Sequence, residues 1–102
     1  MWRLRAGEAS TRHRHESQTE LYILLEGTGR AHVDGELLTV SPLSALLVEP
    51  ETVRQLFNDT AEDALWLVVG APREPANTLE MTPERLRRLY THGPKALPPE
   101  LM

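Results

Sequence analysis

The chain has no cysteine, so its 102 residues hold no disulfide framework, no zinc finger and no thiol nucleophile. It has no basic surplus either. The formal charge is −4, and phosphate backbones need concentrated positive surface, so nucleic acid is not expected as a partner. Arg85, Arg87 and Arg88 form the nearest basic cluster, and it is short. No stretch is apolar for long enough to cross a bilayer, and the N-terminus lacks the basic-then-apolar pattern of a secretory leader. These absences predict a cytoplasmic protein with no membrane partner. Catalytic loops are missing as well. Ser10, Ser17, Ser41 and Ser44 lie in or beside predicted turns with no paired base, and no glycine-rich strand-to-helix junction is present to cradle a phosphate. The length suits one domain with a single modest core.

What is present concentrates between Gly7 and Gly27, in GEASTRHRHESQTELYILLEG. On an extended strand, residues i and i+2 project to one face, so His13 and His15 can offer two imidazole nitrogens side by side while Arg14 points away. Glu20, at the start of the next predicted strand, can return beside them. Two imidazoles and a carboxylate on one side of an ion suit iron, manganese, nickel or zinc, with positions left for water, oxygen or substrate.

Turn signals divide the rest into short strands. Residues 1–6 alternate, with Trp2, Leu4 and Ala6 on one side. Leu21–Glu26 reads as the next strand, and Gly27-Thr28-Gly29 turns the chain into residues 30–34. Asp34-Gly35 is a hairpin signal, because a type I′ turn needs positive φ at both central positions. Strands follow at residues 36–40, 45–49, 53–57 and 65–70, with Pro42 placed in a turn. About seven short strands with regular turns predict an all-β fold, a sandwich or small antiparallel β-barrel.

Six of the eight prolines lie between Pro72 and Pro99, so residues 71–102 read as a Pro-rich C-terminal extension behind a barrel at 1–70. One short helix is expected there, at about 83–91, packed on the barrel. Thr82 suits the N-cap, Pro83 the first helical position, Met81 with Leu86 a hydrophobic staple, and His92-Gly93-Pro94 the stop. Leu86, Leu89 and Tyr90 make its apolar stripe. LYILL, ALLV and LWLVV are apolar on both faces, which a strand with one face in water does not need, so a homodimer is expected. Elsewhere, Tyr22 and Leu24 share the face of Glu20, and His32 should face solvent. Trp66 reads as core or interface, Asn58 as a turn residue, and His92 as a helix-end residue near the negative end of the dipole.

The spacing Gly7, five residues, His13-Arg14-His15, four residues, Glu20, six residues, Gly27 resembles the first signature of the cupin family at every specified position. That resemblance implies a jelly roll, or double-stranded β-helix. It also implies that His13, His15 and Glu20 are metal ligands. Only six residues precede Gly7, fewer than the cupin pattern usually has, so the barrel is expected to lack an edge or to borrow one from a partner.

A second signature (Gly, five residues, Pro-x-Gly, two residues, His, three residues, Asn) falls on Leu43 through Asn58. Asn58 matches. Leu43, Glu49, Glu51 and Arg54 stand where that pattern has Gly, Pro, Gly and His. In metal-binding cupins this histidine is the fourth ligand, whereas a guanidinium stays protonated and has no lone pair to give. Gln55 points to the other face of a regular strand and cannot step in. Three arrangements follow. His13, His15 and Glu20 hold a divalent metal alone, with Arg54 at the rim to bind a substrate carboxylate; or Arg54 forms a buried ion pair with Glu20 in place of the metal; or Arg54 turns away. The resemblance implies a small cupin binding a divalent metal and a small, anionic molecule, with Arg54 and Tyr22 as ligand-binding residues. If it is an enzyme, oxygenase or isomerase chemistry is implied. The alternative is a metal-free binding module or structural oligomer.

Overall fold

The computed structural model describes residues 1–72, 82–90 and 95–101. Its strands are β1 (Trp2–Leu4), β2 (Thr19–Glu26), β3 (Gly29–Val33), β4 (Glu36–Val40), β5 (Ala45–Val48), β6 (Arg54–Phe57) and β7 (Ala64–Ala71). Helix α1 (Pro83–Tyr90) and a 3-10 turn at Pro99–Leu101 follow. The strands form two antiparallel sheets, one ordered β1-β7-β2-β5 and the other β4-β3-β6, and the fold is all-β with one short helix among the described residues. None of the described helices is long and apolar enough to cross a membrane.

The two-residue period of a strand explains how the sheets enclose a core. In β2, Tyr22 and Leu24 turn inward and are buried, and the core is completed by Leu4, Ala31, Val40, Val48, Leu56, Ala64 and Trp66. Trp66 is core, with its ring edge-on to Tyr22 at 6.3 Å between centroids. It lies so close to β3 that a Cβ added at Gly29 would come within 2.6 Å of the ring, so only glycine fits there. The β3–β4 hairpin turns on Asp34 and Gly35 with φ of 48° and 85°, the two positive angles of the expected turn.

Three features differ from expectation. β2 begins at Thr19, so Glu20 lies within the strand. The edge of β6 is covered by this chain's own residues 7–13: Gly7, Ser10 and His13 N–H groups donate to Asn58, Leu56 and Arg54 carbonyls at 2.7, 2.8 and 2.9 Å. No borrowed strand is needed on that edge. His32 is 6% exposed instead of solvated, because the C-terminal segment lies over it, with Glu100 Oε2 2.6 Å from His32 Nε2 and 2.9 Å from Arg12 Nη2. Sequence periodicity places a side chain on a face; it does not say what covers that face.

Described parts of the extension touch the barrel at named bonds. Arg14 N–H donates to Leu89 O at 2.9 Å, Gln55 Nε2 donates to Ala96 O at 2.7 Å, and Leu89 and Pro98 are buried. Met81, His92, Gly93 and Pro94, and the side chains of Leu86 and Tyr90, lie outside the described residues.

Asn58 is more than a turn residue. Fully buried, it donates through Nδ2 to Leu4 O at 3.0 Å and Glu62 O at 2.6 Å, and its Oδ1 accepts from Thr60 N and Oγ1. It thereby ties β1 to the turn between β6 and β7. Asn58→Ala removes the donor to the Leu4 carbonyl and the acceptor of Thr60 N–H at a fully buried position, so it should destabilise the protein by about 2 kcal/mol, measured by urea unfolding.

Candidate metal centre

His13 and His15 are held by backbone pairing to the β5–β6 connection and β6. His13 N–H donates to Arg54 O at 2.9 Å and Arg54 N–H donates back at 2.8 Å, while Glu51 N–H donates to His15 O at 2.7 Å. This is an isolated bridge, not the regular strand expected for the His-x-His segment. The two imidazoles still converge, with centroids 5.1 Å apart and rings at 87°. Glu20 arrives from β2, and one ligand atom from each of the three residues lies within 4.8 Å of the others.

The protonation pattern suits a metal. His13 Nδ1 lies 2.8 Å from Thr11 O, and a carbonyl only accepts, so Nδ1 carries the proton and Nε2 the lone pair. Burial pushes the His13 imidazole below its ordinary pKa; the Thr11 hydrogen bond works against this, and His15 and Arg54 add to the lowering. The ring is therefore held neutral, as a ligand must be. His15 Nε2 lies 3.0 Å from Glu20 Oε1. This is a hydrogen bond in which His15 Nε2–H donates to the carboxylate, so an ion at these atoms would displace that proton.

Glu20 is the convergence point. Its Oε1 accepts from Tyr22 Oη at 2.5 Å and from Arg54 Nη1 at 3.3 Å, and faces His15 as well. Burial alone would raise its carboxyl, but the His15 and Tyr22 hydrogen bonds and the Arg54 charge outweigh it and hold Glu20 below the usual carboxylate range.

Arg54 sits in the interior, not at a rim. It is 1% exposed, its Nη2 donates to Glu49 O at 2.7 Å, and its Nε has no partner among the described residues. A cavity of about 540 Å³ opens on the metal-ligand candidates, lined by Met1, Trp2, His13, Glu20, Tyr22 and Val68, and Arg54 is not on its wall. Tyr22 lines it with its hydroxyl already donated to Glu20. Gln55 points away, donating to Ser10 O and Ala96 O. Sequence reasoning missed Thr11, which acts through its carbonyl, and Val68, which is opposite Tyr22 in the β2–β7 register. A backbone acceptor leaves no mark on residue type, and register is not readable before the strands are paired.

The degenerate second signature keeps its backbone. Leu43 and Glu51, standing where the pattern has glycines, adopt φ of 66° and 65°. This left-handed conformation costs a residue with a Cβ about 1–2 kcal/mol and is one that glycine adopts freely.

Two antiparallel sheets, with His13, His15 and Glu20 converging and His13 and Glu20 on the wall of one cavity, define a small β-barrel with a group that could hold a metal. The model of the cupin domain matches residues 1–70, and the chain belongs to the cupin family. Among solved structures, it is similar to a protein from Thermus thermophilus, with 33% identity, a TM-score of 0.67, and coverage of 71% of this chain and 69% of that one. It is also similar to a cupin-superfamily sugar phosphate isomerase from Silicibacter pomeroyi, with 28% identity, a TM-score of 0.65, and coverage of 70% of this chain and 47% of that one. A predicted oxalate decarboxylase from Thermotoga maritima shares the fold at 24% identity and a TM-score of 0.63, covering 67% of this chain and 59% of that one. The chain thus spans about half to two thirds of the length of these structures. No curated protein matches it.

The shifted groups set a pH dependence. Both His13 and Glu20 are lowered in the folded state, so each contributes stability that is complete above its unfolded pKa, about 6.5 for His and 4.3 for Glu, and is lost as pH falls through the folded value. Urea unfolding of metal-free protein should show stability declining below about pH 6.5 and again below about pH 4.3. His13→Gln should remove the first decline and Glu20→Gln the second.

Proposed function

We propose that this protein binds a divalent cation through His13, His15 and Glu20 and takes a small anionic molecule in the adjoining cavity. The observation that carries the reading is the convergence of His13, His15 and Glu20, whose ligand atoms lie within 4.8 Å of one another, with the His13 lone pair on Nε2. The neutral and anionic nitrogen and oxygen donors suit iron, manganese, nickel or zinc. When bound, such an ion supplies Lewis acidity that polarises a ligand oxygen.

The preference for an anion follows from charge. Arg54 at 3.3 Å neutralises Glu20, so a divalent ion keeps its full double charge within the site instead of sharing it with the carboxylate. Arg54 thus favours an anion through its field, without touching it. Tyr22 holds Glu20 in place and presents its ring to the cavity. The phosphorylated substrate class named for the Silicibacter pomeroyi isomerase accords with this reading. If the protein is an enzyme, isomerase or oxygenase chemistry is the class we infer.

One observation favours a second reading, a metal-free binding module. Arg54 is 1% exposed and paired with Glu20, as a resident counter-charge in the metal's place would be. Elemental mass spectrometry on protein purified without chelator or histidine tag separates the two. The first reading predicts close to one equivalent of metal, lost in His13→Ala with the fold intact. Arg54→His, which supplies a fourth ligand and removes the competing charge, should tighten binding at least tenfold by calorimetry. Protein that stays empty after metal addition supports the second reading instead.

A further inference from the structure

The cavity beside the candidate metal centre is polar at one end only. Strand register sets its inner-face residues in rows: Glu20 beside Gly70, Tyr22 beside Val68, and Leu24 beside Trp66, with Trp2 on the other side of Trp66. Same-face residues of a strand are about 7 Å apart, so the Val68 row lies about 7 Å from Glu20 and the Trp2 row about 7 Å further on. Glu20, Tyr22, Val68 and Trp2 line the cavity, together with His13 and Met1. The polar groups cluster at the Glu20 end, where the Tyr22 hydroxyl is already donated to the carboxylate.

Away from that end the wall changes character. Met1, Trp2 and Val68 carry no hydroxyl, amide or charged side chain, and the Arg54 guanidinium is not on the wall. Trp2 and Val68 are half-buried, each packed against the core on one side and open to the cavity on another. Any aliphatic residue at the start of β1 would close the core at this edge. An indole adds a broad, flat apolar surface. A polyhydroxylated body pressed against that surface strips water from hydroxyls that find no partner there, which costs affinity. An apolar ring instead gains the burial of its own surface and of the wall. The cavity, about 540 Å³, is within the size range of small-molecule sites and has room for one ring and an anionic group.

We propose that the molecule taken into this cavity is a small anion with an apolar, ring-bearing body, its charged end at the triad and its ring against Trp2 and Val68. Trp2 selects it over polyhydroxylated anions of the same charge. The inference rests on the reading of His13, His15 and Glu20 as a cation site that receives an anion. It adds the uncharged half of the ligand. The field of the cation and Arg54 asks for negative charge, carboxylate or phosphate, and does not depend on what carries it. The phosphate of a sugar phosphate would suit that field; its polyol body would not suit this wall.

Calorimetric titration of the full chain after manganese addition, with metal content measured on the same sample, tests it. Phenyllactate, lactate and glycerate share an α-hydroxycarboxylate head and differ in the group on the third carbon: phenyl, hydrogen or hydroxyl. Phenyl phosphate and glycerol phosphate repeat the comparison with a phosphate head. With whichever head binds, the phenyl compound should bind at least about tenfold more tightly than the hydroxylated one. Trp2→Ala should lower that ratio by about fivefold or more while the metal content stays the same. Should Trp2→Ala fail to fold, Val68→Thr, which keeps the strand-favouring shape and puts a hydroxyl on the wall, should lower the ratio by about threefold or more. Equal binding of the phenyl and hydroxylated compounds overturns this inference and leaves the cation site standing. So does a preference that neither substitution lowers, which would leave Trp2 with the closing of the core alone. Failure of all five compounds to bind overturns the anion reading itself, and this inference with it.

Discussion

A single carboxylate oxygen, Oε1 of Glu20, is the atom on which the interior of this barrel depends. Tyr22 donates to it from the same strand, Arg54 from the facing sheet, and His15 from the segment that crosses between them. Buried charge is expensive unless paired and hydrogen-bonded. Here one anion and one cation each reduce the other's cost, and the pair joins β2 to β6 across the core. The same arrangement sets the protonation of its neighbours, because the charge of Arg54 helps to keep Glu20 ionised and His13 neutral.

That constraint gives Arg54 a meaning that its position in the chain does not suggest. A histidine in its place could offer a lone pair to a metal. An arginine cannot be, and it is too deeply buried to reach the cavity as an anchor for a ligand. It acts on charge balance: it competes with a cation for Glu20, and it leaves any bound cation less neutralised. Under the proposed reading, a site built this way would trade metal affinity for attraction toward anions.

Much of the fold was legible because period and turn chemistry are local. Asp34-Gly35 announced its hairpin, the strand spans follow alternation and turn residues, and the spacing from Gly7 to Gly27 marked the group that converges on the cavity. The illegible parts depend on what comes from elsewhere in the chain. His32 looked solvent-facing because only its own strand was in view, and the segment that covers it lies far downstream. Arg54 stayed open between a rim, a buried ion pair with Glu20 and a turned-away side chain, because only the facing sheet decides among them, and the ion pair is what forms. Leu43 and Glu51 hide two left-handed turns, since neither residue type signals a positive φ.

Anomalous diffraction from crystals soaked in manganese or zinc, collected at the absorption edge of the ion, addresses the account's central claim most directly. The account predicts one strong peak at about 2.0–2.2 Å from a nitrogen of His13, a nitrogen of His15 and a Glu20 oxygen, with Arg54 still behind the carboxylate. No peak there, or density only at surface carboxylates while Arg54 keeps its hold on Glu20, would contradict it.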